Sequence, residues 1–506
     1  MKTLSNNFFL IASISLAILY YIFLLIFSLD TIDSGFILSF VGRLKAGQTI
    51  YKDFDYVRPF GSPLLWELIC FPISFKNPYL FIIIRAFVIF QVFIISYLVI
   101  KLIEPQTKKN ETILLILLSN ILFLHSFNIM PWHTIDGIFF AIISIFSTQK
   151  KYYLSAIILA LFAASTKQSF YLFFIVFIII NFILITRNIK NIKTPDIIIS
   201  ITLLIISVIL ITKNEIFSSL PDFLKQTQTE NSIYHFINQA FYSYFPKDFK
   251  ETAFYLAILS LLIYINVFKK NSIFLFFLIL SISVFVSPLL NMGNYLGDKI
   301  LFICLGIQSL FFSNNNKKIL LSLLLLGWAS SISWGYNTPI FLIPSILITL
   351  FYSKKHFEYL KFALIFSVFL FFSIRLIYPY FSDSPLESRF IKVKDINAIS
   401  GIYMSEKNYN YYKESNELYQ KYKKVVFLPG NPIADIINND FPGRASWEMD
   451  VEYPNWKNDK SINNFIIVDK NPTINYDKGF FKSSITNYLL KNKTKIDSTK
   501  YFYIYK

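Results

Sequence analysis

Apolar runs of roughly 13–22 residues recur along most of the first 380 positions, and about 20 helical residues match the hydrocarbon thickness of a bilayer. Runs near 20 residues cross unaided, whereas those near 13 need tilt, local thinning or neighbouring helices. We read about thirteen spans, near 8–28, 78–100, 112–127, 134–148, 153–166, 169–186, 197–212, 252–268, 273–290, 300–312, 319–335, 340–352 and 362–379. The first follows Lys2 and ends at Asp30 without a small-residue cleavage pattern, so it reads as a retained helix rather than a leader. Only 16% of the 506 residues are charged, against about 25% in average soluble domains. This is the balance of a membrane protein.

The formal charge of +17 invites a nucleic-acid partner, but the positions of the cations argue against one. With the N-terminus in the cytoplasm, every second connection is basic: Lys101/Lys108/Lys109, Lys150/Lys151, Arg187/Lys190/Lys193, Lys269/Lys270, Lys317/Lys318 and Lys354/Lys355/Lys361. That alternation follows the positive-inside rule and makes much of the excess a rim facing anionic lipid. An odd span count then places the C-terminus outside. The predicted fold is a membrane all-α multi-pass bundle over 1–380, with an outer loop at 29–77, followed by a small extracytoplasmic α/β domain over 381–506.

The tail is polar and nearly charge-balanced. Val425–Leu428, then Pro429-Gly430-Asn431-Pro432, then Ile433–Ile437 reads strand, turn, helix, and 465–468 and 501–504 read as further strands. Gly430 alone makes no phosphate loop. A second outer loop at 214–251 has the pattern of short amphipathic helices. Cys70 and Cys304, both in apolar segments, offer neither a disulfide framework nor metal-ligand spacing.

On this topology the unusual polar residues gather at the outer side. The first loop carries Asp30, Asp33, Arg43, Lys45, Tyr51, Asp53, Asp55 and Arg58. Arg85 lies near the outer end of the second span, and Trp132, His133 and Asp136 open the fourth. Thr166-Lys167-Gln168-Ser169 turns between spans five and six, Tyr295, Asp298 and Lys299 follow span nine, and Arg375 ends span thirteen. Ionisable groups in hydrocarbon are costly, so such a concentration marks function or pairing. Nucleotide sugars and ATP are absent outside, so synthesis there needs a donor delivered in the membrane, such as a sugar on a polyprenyl phosphate. Transfer to a hydroxyl needs a carboxylate to take the proton and cations to steady the departing phosphate.

Asp33-Ser34-Gly35-Phe36, Gly42-Arg43, Gly47, Tyr51-x-Asp53-Phe54 and Pro59-Phe60-Gly61-Ser62-Pro63 together resemble the first outer loop of GT-C glycosyltransferases. The branch they resemble is that of bacterial relatives of protein O-mannosyltransferases and of the lipid A aminoarabinose transferase. The resemblance implies a bacterial cytoplasmic (inner) membrane enzyme and an inverting displacement. It also implies a polyprenyl-phosphate sugar as donor, no bound cofactor, and a glycan, lipid or protein as acceptor. Asp33 matches the loop aspartate that acts as base or positions the acceptor, although Ser34 stands where that family has Glu. Asp136 resembles a second family aspartate, and Lys167 and Arg85 resemble phosphate-binding cations, with Lys299 and Arg375 added by position. Arg43, Tyr51, Asp53, Arg58, His133, Gln168 and Tyr295 are candidates for the sugar and acceptor.

Plainer roles stay open for the same residues. Asp33 is a good helix N-cap, Asp136 a cap or a partner for Lys167, and Arg85 and Arg375 suit headgroup anchoring. Asp53 and Asp55 with Asp33 are possible ligands for a divalent cation, but interleaved Lys52 and Arg58 favour internal ion pairs, and the four His have no helical ligand spacing. Alternatives from other classes are a transporter or lipid flippase, which would place its binding groups near the midplane, and a scaffold presenting the tail.

Overall fold

The computed structural model describes residues 2–29, 33–56, 58–124, 129–187, 192–227, 317–332, 364–370, 390–422, 425–428, 430–442, 464–470 and 491–506, with single positions 237, 240, 241, 257, 372, 373 and 376. The chain is mostly helical, with a small sheet region near the C-terminus. In order come α1 (Lys2–Ile26), a 3-10 turn (Asp33–Gly35), α2 (Phe36–Lys45), α3 (Gly61–Ile69), α4 (Leu80–Ile103), α5 (Lys109–Leu124) and α6 (His133–Gln149). They are followed by α7 (Tyr153–Thr166), α8 (Tyr171–Arg187), α9 (Thr194–Lys213), α10 (Ile216–Thr227) and α11 (Lys317–Ser331).

Among the described residues, three helical stretches, Leu80–Ile103, Gln168–Arg187 and Thr194–Lys213, are long and apolar enough to cross a membrane. At 1.5 Å per residue the shorter two reach about 30 Å. Leu10–Ile26 and Tyr153–Thr166 are apolar but shorter. Ile175, Ile179 and Phe182 on α8 and Ile198, Ile205 and Ile209 on α9 are exposed, apolar side chains that suit lipid rather than water. Apart from the single position 257, the expected spans near 252–268, 273–290, 300–312 and 340–352 lie outside the described residues.

Local chemistry accounts for how these helices meet. Ala156, Ala160 and Ala163 put small side chains on one face of α7, allowing α6 to approach closely enough for Ser144 to donate to the Ala156 carbonyl at 2.7 Å. Asp196, in the first turn of α9, accepts from the Leu154 and Ser155 amides at 3.0 and 2.9 Å. It thereby satisfies two orphan donors at the start of α7. Beside it Lys193 donates to the Lys150 carbonyl at 2.8 Å, so the basic connections 150–151 and 193 share one end of the bundle.

The opposite end is tied by different groups. Buried Glu67 of α3 meets Lys213 at 2.6 Å and Asn214 at 2.9 Å, where α9 finishes. Arg85 of α4 donates to the carbonyls of Leu25 and Phe27, each at 3.1 Å, and to that of Ser28. A cation at these unpaired carbonyls favours the negative end of the α1 dipole.

Among its described residues the tail holds two sheets. β1 (Phe390–Lys392) pairs antiparallel with β2 (Tyr403–Ser405). The second sheet has the order β3-β4-β6-β5, formed by Val425–Leu428, Phe465–Asp469, Phe502–Tyr505 and Lys495–Ser498. β3 and β4 run parallel, and the other neighbours are antiparallel. α12 (Glu406–Tyr422) lays Leu418 and Tyr419 on Val425, Phe427, Ile467, Phe502 and Ile504. The strand-turn-helix expected at 425–437 is present: β3 leads to α13 (Pro432–Asn438), whose Asn431 side chain caps the Ala434 amide at 3.0 Å.

The tail packs onto the first loop. Ser28 N–H donates to the Tyr403 carbonyl at 2.7 Å, and the Phe27 and Tyr403 rings stack at 5.5 Å. Burial pushes the Asp435 carboxyl of α13 up to about 7, although Arg43 and the Tyr419 hydroxyl favour its charged form.

Candidate functional site

The N-terminal turn of α6 carries both His133 and Asp136, and each is fully buried. His133 Nε2 accepts from Arg58 Nε at 3.1 Å, which leaves the imidazole proton on Nδ1 in this arrangement. The Arg58 guanidinium also stands over the Phe36 ring, 5.9 Å from its centroid. Phe36 directly follows the 3-10 turn that Asp33 opens, and its ring lies 5.7 Å from that of Trp132. The first loop and the start of α6 therefore meet through one aromatic ring and one guanidinium.

Tyr51 fixes Arg58 from the other side. It sits at φ 69°, and its buried hydroxyl donates to the Arg58 carbonyl at 2.7 Å. Burial and the nearby Tyr56 and Tyr171 hydroxyls push this phenol well above its usual range, so it remains a donor. Its ring packs 4.9 Å from Phe223 of α10, connecting that helix to the same corner.

Lys167 reaches the corner from the end of α7. It is buried, in extended backbone, with Nζ 3.4 Å from both Thr134 Oγ1 and the Ser330 carbonyl at the end of α11. Gly61 makes this approach feasible: a methyl there would collide with the backbone of Ser165, so α3 sits directly on the end of α7. Gln168 starts the short 3-10 turn that follows Lys167. Two cations and the positive end of the α6 dipole thus converge around His133. No carboxylate among the described residues stands within ion-pair distance of Arg58, which is only partly buried. Such a corner favours an anion.

Comparisons with protein-family models, curated proteins and solved structures return no match.

Several residues read from the sequence as substrate groups stand elsewhere. Asp136, grouped there with Asp33 as catalytic, accepts from Trp66 Nε1 at 3.2 and 3.1 Å and from Gln91 Nε2 at 2.9 Å. Its carboxylate joins α3, α4 and α6 deep in the protein, one turn below the Arg58 corner. Arg85, expected at a phosphate, is committed to the end of α1. Arg43, expected at the acceptor, is buried and donates to Gln48 at 3.2 Å and to the Phe441 carbonyl at 3.4 Å. Asp53 accepts from the Thr49 amide at 2.7 Å and shapes the turn before Tyr51. Tyr295, Lys299 and Arg375 lie outside the described residues.

Lys52 pairs with Glu215 at 3.8 Å. Among the described residues no three His, Cys, Asp or Glu side chains gather as metal ligands. Gln91 and Glu67 were not singled out in the sequence. A lone amide within an apolar helix was the available signal for Gln91.

Proposed function

We propose that this chain is a multi-pass glycosyltransferase of the GT-C type, with about thirteen spans, a cytoplasmic N-terminus and an extracytoplasmic tail, in a bacterial cytoplasmic membrane. It moves a sugar from a polyprenyl-phosphate donor to an extracytoplasmic glycan, lipid or protein. The observation that carries this reading is the Arg58–His133–Lys167 corner, beside the loop that presents Asp33. A dianionic leaving phosphate needs cations held in advance, and Arg58 is oriented by two contacts while facing no carboxylate among the described residues.

In this mechanism the acceptor oxygen attacks the anomeric carbon and the bond from that carbon to the phosphate oxygen breaks. The electron pair leaves with the phosphate toward Arg58 and Lys167, and the hydroxyl proton passes to Asp33. Arg58, read at first as a sugar or acceptor contact, takes the phosphate role that the resemblance gave to Arg85. Asp136 serves as a structural tie. The contacts that join 150 with 193 at one end, and 67 with 213 at the other, support the orientation of the helices.

The test is incubation of the protein in liposomes with a panel of polyprenyl-phosphate sugars and candidate acceptors, with mass spectrometry of products. Acceptor-dependent release of free polyprenyl phosphate is expected, and Asp33→Asn should abolish it while leaving the protein folded. Lipid crossing without bond cleavage would instead identify a flippase.

A further inference from the structure

The segment around Asp33 is contacted by the tail on both sides. On its N-terminal side, Ser28 donates its amide to the Tyr403 carbonyl and Phe27 stacks on Tyr403. On its C-terminal side, Gly35 lies against α13: a methyl there would come 2.9 Å from Ile433 Cγ1 and 3.0 Å from the Ile433 nitrogen. About two helical turns further, a methyl on Gly42 would run into the Phe441 ring. Neither glycine has a positive φ, so the requirement at both is space for the tail.

Arg43 completes this contact. Its guanidinium lies 5.5 Å from the Phe54 centroid and 5.8 Å from that of Phe441, and both it and Gln48 donate to the Phe441 carbonyl. The Gln48 bond measures 3.1 Å, and Gln48 also accepts from Arg43, closing a three-membered polar ring around one tail carbonyl. Ile433 and Phe441 are themselves buried. A solvent-exposed appendage would need neither two glycines cut to its shape nor a buried arginine to hold it.

We infer that Ile433 and Phe441 are positioning residues for Asp33, so that the tail is a working part of the site rather than a separate module. They act through Gly35, Gly42 and Arg43, which hold the 3-10 turn in one place. A turn so held keeps the carboxylate within bonding reach of an acceptor hydroxyl, and displacement by about 1 Å is enough to cost up to about a hundredfold in rate. The catalytic consequence rests on the transfer reading above, whereas the brace itself does not.

The experiment compares full-length wild type, Phe441→Ala and Phe441→Leu in the same liposomes, by hydrogen exchange and by steady-state kinetics. In Phe441→Ala, exchange should rise across 33–42 while 80–103 and 153–166 keep their protection. In the same variant kcat should fall at least about tenfold with donor KM within about twofold. Phe441→Leu should recover most of both. Unchanged exchange across 33–42 in Phe441→Ala overturns the brace whatever the turnover. Raised exchange with unaltered kcat overturns its role in catalysis. Raised exchange in a protein whose wild type transfers nothing keeps the brace and removes the transfer reading instead.

Discussion

His133 and Asp136 are one turn apart on α6, both fully buried, yet their surroundings are opposite. Asp136 is a lone acid surrounded by uncharged donors, an indole and an amide that the protein supplies. His133 is a neutral acceptor beside two cations, one of them facing no acid among the described residues. A buried carboxylate with its lone pairs occupied is architecture, whereas a cation without a carboxylate partner is a place for something else to bind. Residue type did not separate the two; the partners did.

The sharpest way to break this contrast is at Asp136. Asp136→Ala strands the Trp66 and Gln91 donors in the interior, and each orphaned donor costs about 1–3 kcal/mol, so folded yield and thermal stability should collapse together. A stable Asp136→Ala protein that had lost only turnover would return that residue to catalysis. Arg58→Gln should do the reverse, leaving melting nearly unchanged while lowering transfer by about 100-fold, equivalent to roughly 2.7 kcal/mol at the transition state. Arg58→Lys should recover part of this, since an ammonium supplies charge without the planar fork. Equal turnover in all three proteins would remove the phosphate role.

A third difference separates Asp435 from both. Its folded-state value of about 7 lies above the ordinary carboxylate value of 3.8. Between those limits the folded tail keeps a proton that the unfolded tail has lost, so raising pH from about 4 to 7 should weaken tail docking, by on the order of 2–4 kcal/mol, with little change beyond. Asp435→Asn should flatten that slope in a hydrogen-exchange titration of 425–442. The smallest effect is expected at the exposed Lys421–Asp497 pair, 2.8 Å apart, where Lys421→Ala should leave melting within measurement error.

Much of the tail was legible because its signals are short-range. A strand at Val425–Leu428, a turn over 429–432 and a helix over Ile433–Ile437 follow one another within thirteen residues of sequence. The structure has a strand at Val425–Leu428 and a helix at Pro432–Asn438, with Asn431, part of the expected turn, as its cap. Apolar length marked α4, α8 and α9 equally well. The site was legible only as a list. That Arg58 leans on His133, 75 positions away, while Arg85 serves the end of α1, depends on helix packing that no local pattern encodes. The role of Gly42 was hidden for the same reason: its counterpart, Phe441, lies in a different part of the chain.

Arg43 and the Phe441 carbonyl it holds are 398 positions apart. At a translation rate of 5–20 residues per second, roughly 20 to 80 s pass between the emergence of one and the other from the ribosome. Through that interval the early loop exists without the tail carbonyl that it clasps. A nascent copy therefore lacks this clasp until Phe441 emerges, and any chain truncated before that residue would never form it.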